Sequence, residues 1–429
     1  MAPFFHSVRL DADKCKGCTN CIKHCPTEAI RVRDGKAYIL EDRCVDCGAC
    51  IRVCPNHAKI VHTDSLSRCT DFAYNVALPA PALFGQFAGL SEPGGVLDAL
   101  LDLGFDEVFE VPLAADLVSQ AMSRFVTRRG AGPWISATCP AVVRLIQVRF
   151  PELIPNLITV ESPMEVAGVI ARQKAIRLTG LPSHRIGVWF ITPCPAKVTA
   201  IHQPEALTAS SVTGAIAISQ IYGDILKLLP GTGAEKRKLK ASGLGLGWGR
   251  AGGENVALGI DNHLAVDGIH NVIALLEELE MGRLQDIHFL ECQACTGGCV
   301  GGALTVENPF IARVRLRKLA GQLPQETNIS LAAVEGEWGD VFSIKDEIVP
   351  RPMTPLATDM YSAIAKMERL ETIERRLPGL DCGACGAPNC RALAEDIVRG
   401  RAREKDCVIK MRELWLSQPS KEKAKEAKS

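Results

Sequence analysis

The chain has 429 residues, with 49 lysines and arginines balanced by 49 aspartates and glutamates, so its net charge is zero. A neutral chain offers no electrostatic footprint for nucleic acid or an anionic membrane surface. Its 47% hydrophobic content over this length is enough core for about two or three domains.

The N-terminus, MAPFFHSVRLDADKCKG, lacks a basic segment followed by an apolar run, so no export signal is read there. The most apolar stretch, Asn75 to Leu90, is broken by Pro79, Pro81 and Gly85 and is too short to span a bilayer. A cytoplasmic protein is expected. Its 18 cysteines, in a chain without a secretory signal, point to iron–sulfur ligation rather than disulfides. All but Cys69 and Cys292 fall into recognisable spacings.

The first block holds Cys15, Cys18, Cys21 and Cys25-Pro26, then Cys44, Cys47, Cys50 and Cys54-Pro55. Each half reads C-x2-C-x2-C-x3-C-P, the run of bacterial two-cluster ferredoxins, in which the fourth cysteine serves the other cube. One cluster is therefore expected on Cys15, Cys18, Cys21 and Cys54, and the other on Cys44, Cys47, Cys50 and Cys25. Between the halves, AIRVRDGKAYIL alternates around Asp34-Gly35, a hairpin signal. A βαββαβ unit with internal two-fold repetition follows. A disulfide mini-domain or a zinc site is the competing reading of this block.

In the second block, helical patterns run from Val96 to Leu103, Ala114 to Arg129, Ser162 to Leu178, Ala215 to Leu229 and Ile269 to Leu279. Short apolar runs alternate with them at Phe105 to Val111, Trp134 to Ser136, Ile186 to Thr192 and Ile287 to Glu291. Such alternation predicts α/β organisation with largely parallel sheets and a ligand site beyond the carboxyl ends of the strands. Three of these runs end close to Cys139, Cys194 and Cys292. The glycine-rich ECQACTGGCVGGA adds Cys295 and Cys299. Its glycines can take left-handed conformations and let the backbone approach a bulky group.

The third block follows an acidic stretch and the segment VPRPMTP. A helix is expected from Asp359 to Arg376. Cys382, Cys385, Cys390 and Cys407 then sit in a C-x2-C-x4-C-x16-C spacing suited to a third [4Fe–4S] cube, with four-cysteine zinc as the alternative. Its Gly-Ala-Pro-Asn loop resembles the iron–sulfur domain of corrinoid iron–sulfur proteins and of the Rnf complex B subunit. The polar, lysine-rich end of the chain is read as disordered.

Three motifs in the middle block resemble those of [FeFe] hydrogenases. SATCPAVVRL from Ser136 is similar to the family's TSCCPxW segment, TPCPAKVTAIHQPE from Thr192 to MPCxxKxxE, and ECQACTGGCVGGA to the third motif. FPELIPNL and Ser162-Pro163 follow the family's course as well. The resemblance implies an H-cluster, a [4Fe–4S] cube joined to a diiron unit carrying CO, cyanide and a dithiolate amine. By position it implies that Cys139, Cys194 and Cys295 hold the cube and that Cys299 both holds it and bridges to the diiron unit, with Gly297-Gly298 turning both thiolates inward. Lys197 matches the lysine that bonds one cyanide, and Ala80-Pro81 the backbone near the other.

The chain departs from that family at the proton route. Catalytic members carry a thiol just before the first ligand; here the position is Thr138, whose hydroxyl is a far weaker acid than a thiol of pKa about 8.5. The relay serine aligns with Ile158, the two relay glutamates with Ala121 and Arg124, and the methionines near the diiron unit with Thr192 and Gln293. Cys292 is an additional thiol able to take up protons or to serve as a buried structural residue. Cys69 reads as a small core residue.

Together these features lead to an α/β multidomain protein: a ferredoxin domain at 1–64, an H-cluster domain at 65–336, a linker at 337–365, a small α-rich Fe–S domain at 366–416 and a disordered tail at 417–429. The expected function is slow, reversible H2 oxidation and proton reduction in H2 or redox sensing, as in the PAS-less sensory-type group. A fully competent ferredoxin-linked hydrogenase is the first alternative. A non-catalytic electron-transfer or assembly factor, like those related to the nuclear prelamin-A recognition factor, is the second. The implied partners are H2 and protons, a ferredoxin or a signalling kinase or phosphatase, and the maturases of the diiron unit.

Overall fold

The computed structural model describes residues 4–130, 132–204, 206–229, 237–327 and 329–417. The segment read as a disordered tail lies outside them from residue 418 onward, and Ser417 closes a helix, Val408–Ser417. Contacts divide the chain into two units. The larger comprises residues up to 9, 45–48 and 61–351, and the smaller residues 10–44, 49–60 and 352 onward.

The larger unit is built on two parallel sheets. One has four strands in the order Glu107–Val108, Tyr74–Pro79, Ile186–Thr192, Gly214–Ala217. The other has three, in the order His263–Asp267, Phe289–Gln293, Trp134–Ile135. All seven residues of Ile186–Thr192 are buried, the near-continuous apolar run of a strand covered on both faces.

The two-residue period sorts side chains between two cores. Val76, Leu78, Val188, Phe190 and Ala215 join the core beneath the helices Val111–Arg129 and Pro163–Thr179. Ala77, Trp189, Ile191 and Ile216 join the core beneath Gly94–Asp102, Ile218–Leu228 and Pro309–Ala320.

Several boundaries differ from the sequence expectation by a residue or more, and three of them show why. Ala215 to Ala217, read as the start of a helix, is strand, and the helix begins at Ile218. Small residues carry little periodicity, and here ladder pairing with Trp189–Thr192 decides. The run Phe105 to Val111 yields only the strand Glu107–Val108, because Val111 and Pro112 open the next helix, where proline is suited to the first turn. The run from Ile287 is shifted to Phe289–Gln293.

The smaller unit holds the hairpin Ile30–Arg33 and Lys36–Ile39, with Asp34 at φ 50° and Gly35 at φ 72°, as a two-residue turn of this kind requires. It also holds the helices Met360–Arg376 and Cys390–Val398. Among the described residues no helix is long and apolar enough to cross a membrane.

Trp189 is the largest fully buried side chain of the larger unit, and its indole nitrogen donates to Asn75 Oδ1 at 2.8 Å. Gly214 makes room for it, since a Cβ there would lie 2.9 Å from the ring. Asn75→Ala leaves a buried N–H without its acceptor, which costs about 1–3 kcal/mol. The unfolding free energy should fall by that amount in urea titration, lowering the midpoint with the slope unchanged.

Candidate metal centre

Cys139 and Cys194 lie just beyond strand ends, and each is followed by proline. Each is the N-cap of a helix, Pro140–Arg149 and Pro195–His202, in extended backbone. Proline at the first helical position needs no N–H partner, and it forces the preceding residue out of the helical region. The thiol is thereby left at a helix N-terminus, where negative charge is favoured. Ala80, before Pro81, has the same extended geometry at the end of Tyr74–Pro79 and is buried.

The third motif folds onto the second. Leu304 N donates to Pro193 O at 2.9 Å, and a Cβ on Gly302 would lie 2.1 Å from that oxygen. Gly297 and Gly298 have φ of 82° and 94°. At Gly298 a Cβ would lie 2.4 Å from Ala251 N and 2.5 Å from Gln293 Oε1. The thiols of Cys139, Cys194 and Cys299 fall within electrostatic range of one another, together with Lys197. Burial pushes the Cys194 thiol up to about 11 and raises Cys299 further, while the Lys197 ammonium acts in the opposite direction on both.

This donor set fits a cationic cluster. Converging buried thiolates repel unless a metal shares their charge, and Gln293 Oε1 and Arg250 Nε are buried nearby without partners. Cys295 is half-buried on the same loop, and its carbonyl accepts from Gly298 N at 3.0 Å.

Thr138 Oγ1 donates to Glu254 Oε2 at 3.3 Å and pairs with Ser136 Oγ at 2.9 Å. Lys197 Nζ donates to Thr138 O at 3.2 Å. Glu254 is 1% exposed, and its Oε1 has no partner. Beside it, Glu291 accepts from Gly252 N and Asn255 N, both at 2.9 Å. Burial raises both carboxyls, and the charge of Glu291 raises Glu254 further.

Cys292 is also buried, in the core of the three-stranded sheet. Its thiol is pushed far up by burial and then by Cys139, Glu254 and Glu291. On the other side Glu161, with Oε1 unpartnered, is raised to about 7 by burial and then by Glu165.

Neither Glu254 nor Glu161 was singled out from the sequence. Glu254 sits in a short glycine-flanked helix, Gly253–Leu258, without a motif, and Glu291 opens the third motif. Ile158 and Ala121 are buried in the core, and Arg124 pairs with Glu335. Thr192 bonds the Cys194 backbone, and Cys69 is half-buried against the core.

The residues 45–48, which carry Cys47, belong to the same unit. Asp46 accepts from Val8 N at 3.2 Å and pairs with His6. A Cβ on Gly48 would lie 2.8 Å from Ala303 Cβ and 3.0 Å from Pro195 Cγ, so this loop packs between the Cys194 and Cys299 segments.

In the smaller unit, a cavity is lined by Cys15, Cys18, Cys21 and Cys54 together with Val32 and Lys59. Lys59 Nζ is buried there without a partner, a cation suited to a thiolate-bound cluster. Cys25 Sγ accepts from Ala29 N at 3.1 Å. Cys385 lies within electrostatic range of Cys382 and Cys407, and Cys390 N donates to Asp381 at 2.7 Å. Cys44 and Cys50 of this unit are buried, and Cys47 of the larger unit is half-buried.

Parallel strands that bring cysteines together beside a lysine, in a chain with further four-cysteine sets, are the arrangement of an iron–sulfur protein. The comparisons narrow this class. Residues 73–225 and 251–303 match the family "Iron only hydrogenase large subunit, C-terminal domain", residues 7–55 the "4Fe-4S dicluster domain" and residues 377–409 an Fe–S cluster family.

The NADP-reducing hydrogenase subunit HndD of Solidesulfovibrio fructosivorans is 26% identical over 356 residues, 70% of this chain and 57% of that protein. The periplasmic [Fe] hydrogenase large subunit of Nitratidesulfovibrio vulgaris is 30% identical over 226 residues, 47% of this chain and 52% of that protein. The chain thus spans about half the length of these relatives. The apo [FeFe]-hydrogenase of Chlamydomonas reinhardtii shares the fold, with a TM-score of 0.52 at 15% identity over 67% of this chain and 98% of that one. The protein is a member of the [FeFe] hydrogenase family with an N-terminal iron–sulfur domain, and it carries [4Fe–4S] clusters.

Two expectations follow from this geometry. Gly298→Ala places a methyl group against backbone in a conformation disfavoured for alanine, which displaces Cys299; the purified variant should lose iron and sulfide equivalent to one cube while the other cubes remain. Glu161 holds its proton up to about 7, against 4.5 ordinarily. The folded state therefore loses stability as pH rises from 4.5 through about 7. The stability advantage of Glu161→Gln over wild type should grow through that window and level off above it. A pH-independent difference in urea midpoint would contradict the assignment.

Proposed function

We propose that this protein is an H2-binding oxidoreductase interconverting H2 with protons and electrons at low turnover, suited to reporting H2 or redox state. The observation that carries this reading is the convergence of Cys139, Cys194, Cys299 and Lys197 at the strand ends, with Thr138 and its bonded carboxylate beside them. Cys139, Cys194, Cys295 and Cys299 would hold the H-cluster, with Cys299 shared between the cube and the diiron unit. When bound, that group supplies the redox centre and an open iron for H2. Lys197 would donate to one cyanide, as a cation matched to an anionic ligand, with Ala80-Pro81 near the other.

Thr138 cannot itself serve as an acid near neutral pH, but its hydroxyl can pass a proton to a carboxylate it already bonds. Glu254, raised by burial and by Glu291, would hold and release that proton nearer to ambient pH, where general acid–base transfer is most effective. The relay Thr138–Glu254–Glu291 would replace the family's thiol and glutamate route. Cys292, its thiol pushed upward, would stay protonated and structural.

Electrons would leave through the iron–sulfur cubes toward a ferredoxin or a signalling protein. The protein would act in the cytoplasm after maturation by the diiron-site maturases. A faster, fully catalytic enzyme is the second reading, favoured by the Thr138–Glu254 bond.

Infrared spectroscopy after maturation should show CO and cyanide stretching bands, and their absence would leave only an electron-transfer or assembly role. H2 evolution with excess reduced dye separates slow from fast turnover. Glu254→Gln should lower that rate by about 10²-fold, within the range of a lost acid–base group, while leaving the infrared bands in place. An unchanged rate would remove Glu254 from the route.

A further inference from the structure

Within the smaller unit, the C-terminal cysteine loop is built onto the N-terminal hairpin. Val32 N donates to Gly386 O at 2.8 Å, and Arg33 Nη1 donates to Cys385 O at 2.7 Å. The approach admits no side chain. Gly386, at φ 79°, would place a Cβ 1.9 Å from Val32 O, and Gly383 would place one 3.1 Å from Lys23 Cε and 3.4 Å from Ile22 Cδ1. The segment Cys382–Gly386 therefore lies against Ile22, Lys23 and Val32, and Val32 itself lines the cavity of Cys15, Cys18, Cys21 and Cys54.

The junction carries buried charge. Asp396 Oδ2 accepts from Arg31 Nε and Arg33 Nη2, both at 2.8 Å, and the side chains of Arg31 and Asp396 are 0% and 2% exposed. Two guanidiniums thus share one carboxylate, leaving a net positive charge, and Arg31 Nη2 and Arg33 Nε have no partners.

We propose that the cysteine sets Cys382/Cys385/Cys390/Cys407 and Cys15/Cys18/Cys21/Cys54 form adjoining redox sites bridged by Val32–Gly386, and that Arg33 sets the reduction potential of the C-terminal one. The step is a single electron transfer: the cube on the N-terminal set is oxidised by one electron, the cube on the C-terminal set is reduced by one, and no bond or proton moves. Reduction adds one negative charge to the C-terminal cube. A desolvated cation beside Cys385 lowers the cost of that charge, since net charge, hydrogen bonds and exposure set cluster potentials. The C-terminal domain is then an outer electron port of the same wire, with the exposed Cys382 at its solvent side. The proposal rests on the cysteine sets holding cubes and is independent of the hydrogen chemistry.

The test is electron paramagnetic resonance of the full-length holoprotein, poised stepwise with dithionite so that H2 reactivity plays no part. In the fully reduced protein, spin–spin broadening of the N-terminal cube signals is expected. The component of that broadening that comes from the C-terminal cube should be lost in Cys382→Ala/Cys390→Ala, which removes that cube, leaving only the mutual coupling of the two N-terminal cubes. Arg33→Met should shift the C-terminal cube's oxidised-to-reduced ratio at fixed potential about tenfold toward oxidised, about 59 mV for a one-electron couple, with Arg33→Lys recovering part of the shift. N-terminal signals that are unchanged by loss of the C-terminal cube would overturn the adjacency. A C-terminal midpoint that is the same in Arg33→Met, Arg33→Lys and wild type would overturn the role of Arg33.

Discussion

The larger unit depends on a simple backbone constraint, a cysteine between a parallel strand and a proline. In Cys139-Pro140 and Cys194-Pro195 the proline fixes its own φ and begins a helix, while the cysteine before it is held extended. The strand end, the thiol and the helix N-terminus are thereby placed in sequence along the chain. Two such junctions, on two different sheets, face the glycine-rich turn that carries Cys299. The remaining features of the site, including the packing of Gly302 on Pro193 and the position of Lys197 one turn into its helix, follow from these junctions.

Burial then governs the chemistry of the pocket. Glu254, Glu291, Cys292 and Glu161 are removed from water, and each is raised by that desolvation before any neighbouring charge acts. Carboxyls become capable of holding protons near neutrality, whereas a thiol that is already a weak acid becomes inert. Thr138 Oγ1 is bonded to one of these carboxyls, Glu254. A hydroxyl has little acidity of its own, but bonded to a buried carboxyl it connects the pocket to a group whose acidity burial has adjusted.

In the smaller unit a buried ion cluster has a different role. Arg31, Arg33 and Asp396 gain little net stability, because desolvation offsets most of their attraction. They do specify how two cysteine-bearing segments distant in sequence are registered against each other, since a shifted register would strand charge in the interior. The hydrogen bonds of Val32 and Arg33 to Gly386 and Cys385 complete that registration.

Local features were legible in the sequence because they depend on near neighbours. The doubled cysteine run, the Asp34-Gly35 hairpin, the parallel α/β alternation and the motif cysteines are all set by spacing, turn chemistry and side-chain period. Boundaries were less legible where short, small-residue segments such as Ala215 to Ala217 take their conformation from a paired strand. Glu254, in a short helix with no motif, comes to Thr138 across 116 residues of sequence, and Asp396 comes to Arg31 across 365. Only the tertiary structure decides such pairs. The energy that brings them together comes from apolar burial elsewhere in the fold, and the low dielectric that burial creates determines what their charges do.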